Sequence, residues 1–170
     1  MVKIVQRDAK VLREIAKEVP LGDIGSPKLK KLLADLKTAV ESQDDGVAIA
    51  APQINVSLRV FLVSGGVLSK IDGKKVDDII AINPVILKQS KDKKLMEEGC
   101  LSVRYLYGKI RRSTRVSIKY YDENGMPQTK DASGILAEVF QHEIDHLNGI
   151  LFIDNAKNIR DMKDEHTEEK

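Results

Sequence analysis

The sequence holds a single cysteine, Cys100, so no disulfide can form within the chain. Histidine is almost as scarce, with only His142, His146 and His166. A lone thiol with so few imidazoles beside it suits a reducing compartment, and a cytoplasmic location is expected. No apolar run approaches the ~18 residues needed to cross a bilayer, so no membrane contact is expected. The opening residues, Met1-Val2-Lys3-Ile4-Val5-Gln6-Arg7-Asp8, lack the apolar stretch and small-residue cleavage site of a secretory leader. They also lack the Ser- and Arg-rich run of an organelle transit peptide. Excess charge of one sign is missing too. The 28 lysines and arginines stand against 26 acids, and a net charge of +2 draws the chain onto no specific nucleic acid.

What remains is ordinary globular composition, 42% apolar and 32% charged over 170 residues, enough for one domain with a real core. Neither an internal repeat nor a linker divides it. Ser26-Pro27 reads as an N-cap and first helical residue, and Leu29, Leu32, Leu33, Leu36 and Val40 follow at helical spacing up to Asp44-Asp45-Gly46. Arg59 to Val63 reads as a short strand, and Gly65-Gly66 and Asp72-Gly73 as turns in a polar stretch. Ile79 to Ile82 and Val85 to Leu87 are strand-like, with Pro84 marking an edge or bulge. Val116, Ile118 and Tyr120 alternate with polar residues as in a half-buried strand, and Asn124-Gly125 turns the chain back into an antiparallel partner. A second helix is expected over Ile135 to Leu147, from an N-cap at Ser133 to a stop at Asn148-Gly149, with Ile135, Leu136, Val139, Phe140, Ile144 and Leu147 as its apolar stripe. The expected fold is α+β: short, mostly antiparallel strands around this central helix, with the first amphipathic helix outside. A catalytic domain over residues 1–155 is expected, followed by a charged tail or helix over 156–170, in which His166 is solvent-exposed.

The chemistry concentrates in His142-Glu143-Ile144-Asp145-His146. Positions four apart share one face of a helix, with Cβ atoms about 5–6 Å apart, so two imidazoles there can hold one metal ion. Glu143, beside the first of them, is placed to act as a general base on water. The alternative is a polar helix face carrying two ordinary histidines. A catalytic divalent site takes three protein ligands and an open position, and a third donor is therefore needed. His166 sits in the charged tail; Cys100 is the better candidate, in Glu97-Glu98-Gly99-Cys100-Leu101-Ser102, where Gly99 lets the backbone take an unusual conformation close to a ligand. Otherwise Cys100 is an inert core thiol or a nucleophile. The run Gly46-Val47-Ala48-Ile49-Ala50-Ala51-Pro52-Gln53 is either a tightly packed loop or a wall of small residues against which a peptide can pair, with Gln53 donating to a developing oxyanion.

Taken together, the stretches Gly46 to Gln53, Glu98 to Ser102 and Gln141 to His146 resemble the three motifs of peptide deformylase, and the resemblance extends from Ile4 to Asp154. It implies removal of the formyl group from N-formylmethionyl nascent peptides, with release of formate. It implies Cys100, His142 and His146 as ligands of one divalent ion, with ferrous iron usual and zinc, nickel or cobalt able to substitute. Glu143 matches the catalytic acid/base, while Gln53 and the backbone N–H of Leu101 match the groups that polarise the formyl oxygen. Substrate contacts are expected from Gly46, Val47, Ala48, Gly99, Ile135, Glu138 and Val139. Glu98 and Arg112 match positions that pair to set the cysteine loop, or are surface charges. A transient contact with the ribosome is implied as well.

Three positions depart from the pattern: Ala48 replaces a usual glycine, Arg104-Tyr105 replaces a small or polar rim, and Glu138 replaces an aliphatic residue or arginine. An acid at 138 disfavours methionine, binds a cation or points to solvent. Two other readings are a hydrolase with the same helix acting on another amide or ester, and a metal-binding module or altered paralogue with different or lost substrate preference.

Overall fold

The computed structural model describes residues 2–73 and 75–163. Among them, eight strands and three α-helices follow one another in an order that makes every strand pairing antiparallel. A five-stranded sheet runs β1 (Ala48–Ala50), β2 (Val60–Val63), β3 (Ile79–Gln89), β6 (Arg115–Tyr121), β7 (Pro127–Ser133). A three-stranded sheet runs β4 (Lys93–Glu98), β5 (Leu106–Ser113), β8 (Lys157–Asp161).

The helices α1 (Pro27–Glu41) and α3 (Gly134–Leu147) cover opposite faces of the larger sheet, which is why β2 reads as four apolar residues in succession. Phe61 and Val63 join Ala137, Phe140, Ile144 and Leu147 on the α3 side. Val60 and Leu62 join Leu29, Leu32, Leu36 and Val40 on the α1 side. Side chains alternate across a strand, so one short segment serves two cores. The start of α1 is as expected: Ser26 Oγ accepts from the Leu29 N–H at 3.2 Å, and Pro27 occupies the first helical turn. Ser133 does occupy the N-cap of α3, but its side chain makes no capping bond.

Pro84 marks a bulge within one continuous strand. The β3–β6 register shifts between Ile82 and Val85, and Asn83 takes a left-handed φ of 51° while its amide bonds both the N–H and the carbonyl of Val19 at 2.8 Å. The turn at Asn124-Gly125 joins β6 to β7.

Three expectations are corrected. The stretch expected to turn at Gly65-Gly66 and Asp72-Gly73 is a helix, α2 (Gly65–Asp72), capped by Ser64 Oγ on the Val67 N–H and anchored by buried Leu68. The small-residue run is neither all loop nor all strand: β1 is followed by a 3-10 turn, Ala51–Ile54, that carries Gln53. The charged segment expected as a tail or helix from Ala156 begins with β8, which pairs with β5. His166 lies outside the described residues.

Phe140 is fully buried between α3 and the sheet, its ring centroid 5.9 Å from that of Phe61. Phe140→Ala is expected to cost about 3–5 kcal/mol of folding stability, measured as a lower midpoint with unchanged slope in chemical denaturation.

Candidate active site

The site forms where the end of β4 and the loop after it meet α3. The metal-capable atoms of Cys100, His142 and His146 all lie within 4.8 Å of one another, and no other such group occurs among the described residues. Cys100 Sγ is 3.3 Å from Nε2 of His146. Sulfur and imidazole ligands of one tetrahedral ion, at bond lengths of about 2.3 and 2.0–2.1 Å, stand roughly 3.3–3.6 Å apart, so this spacing suits a shared cation. The two rings meet edge to face, with centroids 5.0 Å apart, as one helical turn places them.

Glu98 organises this cluster. Its Oε2 accepts from Nδ1 of His142 at 2.8 Å, and Arg112 grips both its oxygens, Nε to Oε1 at 2.6 Å and Nη2 to Oε2 at 3.0 Å. Arg112 also donates to Asp145 Oδ2 at 2.6 Å, so β4, β5 and α3 are joined through one guanidinium. The Glu98 and Arg112 side chains are only 2% and 9% exposed, which makes them a buried pair and not surface charges. Burial alone pushes the Glu98 carboxyl up, but bonds from Arg112 and His142 outweigh it and hold the group at about 2. An ionised Glu98 favours the proton of His142 on Nδ1 and leaves Nε2 available to a metal ion.

Burial disfavours a charged ring at both histidines. His142 is nonetheless raised well above the usual range by its bonds to Cys100 and Glu98 and by the charge of Glu143. His146 is pushed well below it by burial, then by the positive charges of His142 and Arg112, and its Nδ1 finds no protein partner among the described residues. The same negative surroundings that favour a proton on His142 favour a cation among these three side chains.

Glu143 is 3% exposed and its Oε2 has no hydrogen-bond partner among the described residues. Burial pushes it to about 7, a value suited to taking and returning a proton near neutrality. Gln53 is held with Oε1 accepting from the Ala50 N–H at 2.8 Å, so Nε2 points to Ser102 Oγ at 3.2 Å and Cys100 Sγ at 3.6 Å. The Leu101 carbonyl accepts from Gln6 Nε2 at 3.1 Å, while its N–H has no acceptor among the described residues.

A cleft of about 270 Å³ opens in front of these groups. One wall is Val47 and Ala48 of the β1 segment; the opposite one is Gly99 to Leu101 with Arg104, Tyr105 and Tyr107; the floor is the α3 face with Ile135, Glu138, Val139, His142 and Glu143. Of the expected substrate contacts, Gly46 alone does not line it. A Cβ there would meet the Val40 carbonyl at 2.3 Å, so that glycine packs against the end of α1. Gly99 does line it, yet its backbone is not left-handed; what it supplies is room, since a Cβ would meet the Tyr107 ring at 2.6 Å. Ala48 sits in strand geometry with no positive φ, and its methyl is accommodated.

Three supporting groups make contacts that the sequence did not indicate. Asp145 completes the Arg112 network. Gln141 pairs with both backbone groups of Ser113 at 3.0 Å, pinning α3 to β5. Arg104 crosses the cleft mouth to Asp45 at 2.7 Å and to Gln43. Asp145 and Gln141 lie within the Gln141 to His146 motif and Arg104 at the expected rim, but nothing local signals the partner that each finds.

Comparison with known proteins agrees with this geometry. The family model described as polypeptide deformylase matches residues 1–162 and so includes β8. A peptide deformylase of Fusobacterium nucleatum is 43% identical over 155 residues, covering 89% of this chain and 82% of that protein. One from Brucella suis is 36% identical over 153 residues, covering 89% and 83%. Among solved structures, the Met-Ala-Ser-bound class I type b peptide deformylase from Acinetobacter baumannii superposes with a TM-score of 0.84 at 33% identity, covering 91% of this chain and 98% of that one. The Thermotoga maritima peptide deformylase gives 0.81 at 35%, covering 92% and 98%. With the match extending from the first residues through β8, the chain belongs to the peptide deformylase family.

Proposed function

We propose that this enzyme hydrolyses the N-formyl amide of formylmethionyl nascent peptides in the cytoplasm, with α3 as the central metal-binding helix. The observation that carries the reading is the convergence of Cys100, His142 and His146 beside a buried Glu143, whose Oε2 has no hydrogen-bond partner among the described residues, at the head of a cleft. Cys100 Sγ and the Nε2 atoms of both histidines would hold a divalent ion, which when bound would supply Lewis-acid polarisation of the formyl group and acidify water. A thiolate with two imidazoles suits ferrous iron, zinc, nickel or cobalt, of which ferrous iron is the proposed resident.

The chain's own residues then divide the work. Glu143 takes the proton of the attacking water on Oε2 and returns it to the leaving amine nitrogen as the C–N bond breaks, releasing formate. Gln53 Nε2 and the Leu101 N–H donate to the oxygen that becomes negative; one such donor is typically worth ~2.7–4 kcal/mol. Glu98 sets the His142 tautomer through Nδ1, and Arg112 keeps Glu98 charged. The outer edge of β1, unpaired in the sheet order, offers backbone groups to an extended substrate beside Val47 and Ala48. Gly99, Ile135, Glu138 and Val139 face the first residues of that peptide. A formyl carbon carries only hydrogen, so a close-fitting donor set accepts it and rejects bulkier acyl groups. Delivery at the ribosome through a transient contact fits a substrate that is a nascent chain.

Anaerobically prepared protein is expected to cleave formyl-Met-Ala-Ser and to leave acetyl-Met-Ala-Ser intact, with one metal ion per chain in the same sample. Glu143→Ala should abolish turnover while metal content stays near one; cleavage of both substrates, or full activity in the variant, overturns the reading. Glu98→Ala is expected to weaken metal affinity about 10–100-fold, measured by competition with a chelator. Unchanged affinity would remove Glu98 from its positioning role.

A further inference from the structure

Apart from Glu143, which the proposed reaction uses, the acids that line the cleft are committed, with one exception. Glu98 is gripped by Arg112 and His142, Asp45 by Arg104, and Glu97 by Arg160. Glu138 lines the same cleft, half-buried, and makes no hydrogen bond or ion pair among the described residues. It is not part of the proton path, and a desolvated carboxyl without a partner is a cost unless something occupies it.

Its place on α3 fixes what that occupant is. Glu138 precedes His142 by four residues and so lies one turn back on the same face, about 5–6 Å away at Cβ. Val139 and Ile135 flank it, so the cleft floor runs from the reacting end at His142 and Glu143 backward over Glu138. In a formyl peptide, the first side chain begins three bonds from the formyl carbon. Its Cβ is therefore within roughly 4 Å of the reaction centre, and a four-atom side chain extends about one 5.4 Å helical turn farther. That reach ends against residue 138.

We infer that Glu138 makes this a cation-accepting subsite: the enzyme takes formyl peptides whose first side chain is of methionine's length and ends in a positive charge, as in lysine. The inference rests on the reading of Cys100, His142 and His146 as the metal site, since that reading sets where the formyl carbon lies. The apolar stem of such a side chain packs on Val139 and Ile135, and the ammonium reaches the carboxylate. Methionine remains a substrate through the same apolar contacts, but it gains nothing from the acid. In a purely aliphatic subsite, a lysine would instead strand its charge.

The test compares formyl-Lys-Ala-Ser with formyl-norleucine-Ala-Ser, side chains of equal carbon length that differ in the terminal amine, at one fixed pH above neutrality. Each protein's norleucine rate is its own denominator, so a change in overall activity cancels. The lysine-to-norleucine ratio of kcat/KM is expected to fall on the order of tenfold in Glu138→Gln, as for a partly desolvated charge pair. In Glu138→Lys it should fall further, with formyl-Glu-Ala-Ser gaining. Equal ratios in all three proteins overturn the inference. Binding of the deformylated tripeptides to metal-loaded protein, by calorimetry, reads the same ratio without turnover. A protein that cleaves no formyl peptide refutes the deformylase reading, while the binding ratio still decides the role of Glu138.

Discussion

Glu98 is the carboxylate on which the site depends. It ends β4, directly before the cysteine loop, and it receives Arg112 from β5 and His142 from α3. Three elements far apart in sequence are thereby fixed relative to one another within hydrogen-bond tolerance. A buried charge pair of this kind gains little net stability, because desolvation offsets much of the attraction. Its return is positional: removing either partner leaves an uncompensated charge in the interior, so the arrangement holds as a unit or not at all. Asp145, between the two histidines in sequence, turns to the same arginine, and the helix is clamped at the turn that carries both histidines.

Two carboxylates a few residues from the ligands are driven in opposite directions by their surroundings. Both are buried, and burial alone raises each. Glu98 is brought down to about 2 by the guanidinium and imidazole that donate to it. Glu143 has no such donors and stands at about 7. One is a permanent anion that orients His142, and the other is poised to exchange a proton. The division of labour follows from which neighbours each was given.

How much of this was legible in the sequence depended on how local the cause was. Ser26-Pro27 and the leucine spacing of α1, the histidine spacing of α3, and the Asn124-Gly125 turn are short-range signals, and each names its element correctly. The bulge at Pro84 was also visible, because a missing N–H has only a few places to go in a sheet. The smaller sheet was not. In β5 the inward positions are Gly108, Ile110 and Arg112, so the alternation that marks a half-buried strand is broken by the arginine the site requires. In β4, four of six residues are charged, with Leu95 and Met96 alone at its centre, and most are exposed. β8 is exposed throughout and is held by its pairing with β5, which no local pattern announces. Within the site, the convergence of Cys100, His142 and His146 was readable from residue type and spacing, whereas Arg104 closing the cleft mouth onto Asp45, and the real reason for Gly99, are facts of tertiary approach.

The proposed chemistry requires one sulfur and two imidazole nitrogens sharing a single ion. X-ray absorption at the metal edge of loaded protein tests this most directly. It should show one sulfur at about 2.3 Å and two imidazole nitrogens at about 2.0–2.1 Å, with the remaining scatterers oxygen. A first shell of nitrogen and oxygen alone, with no sulfur, would contradict it.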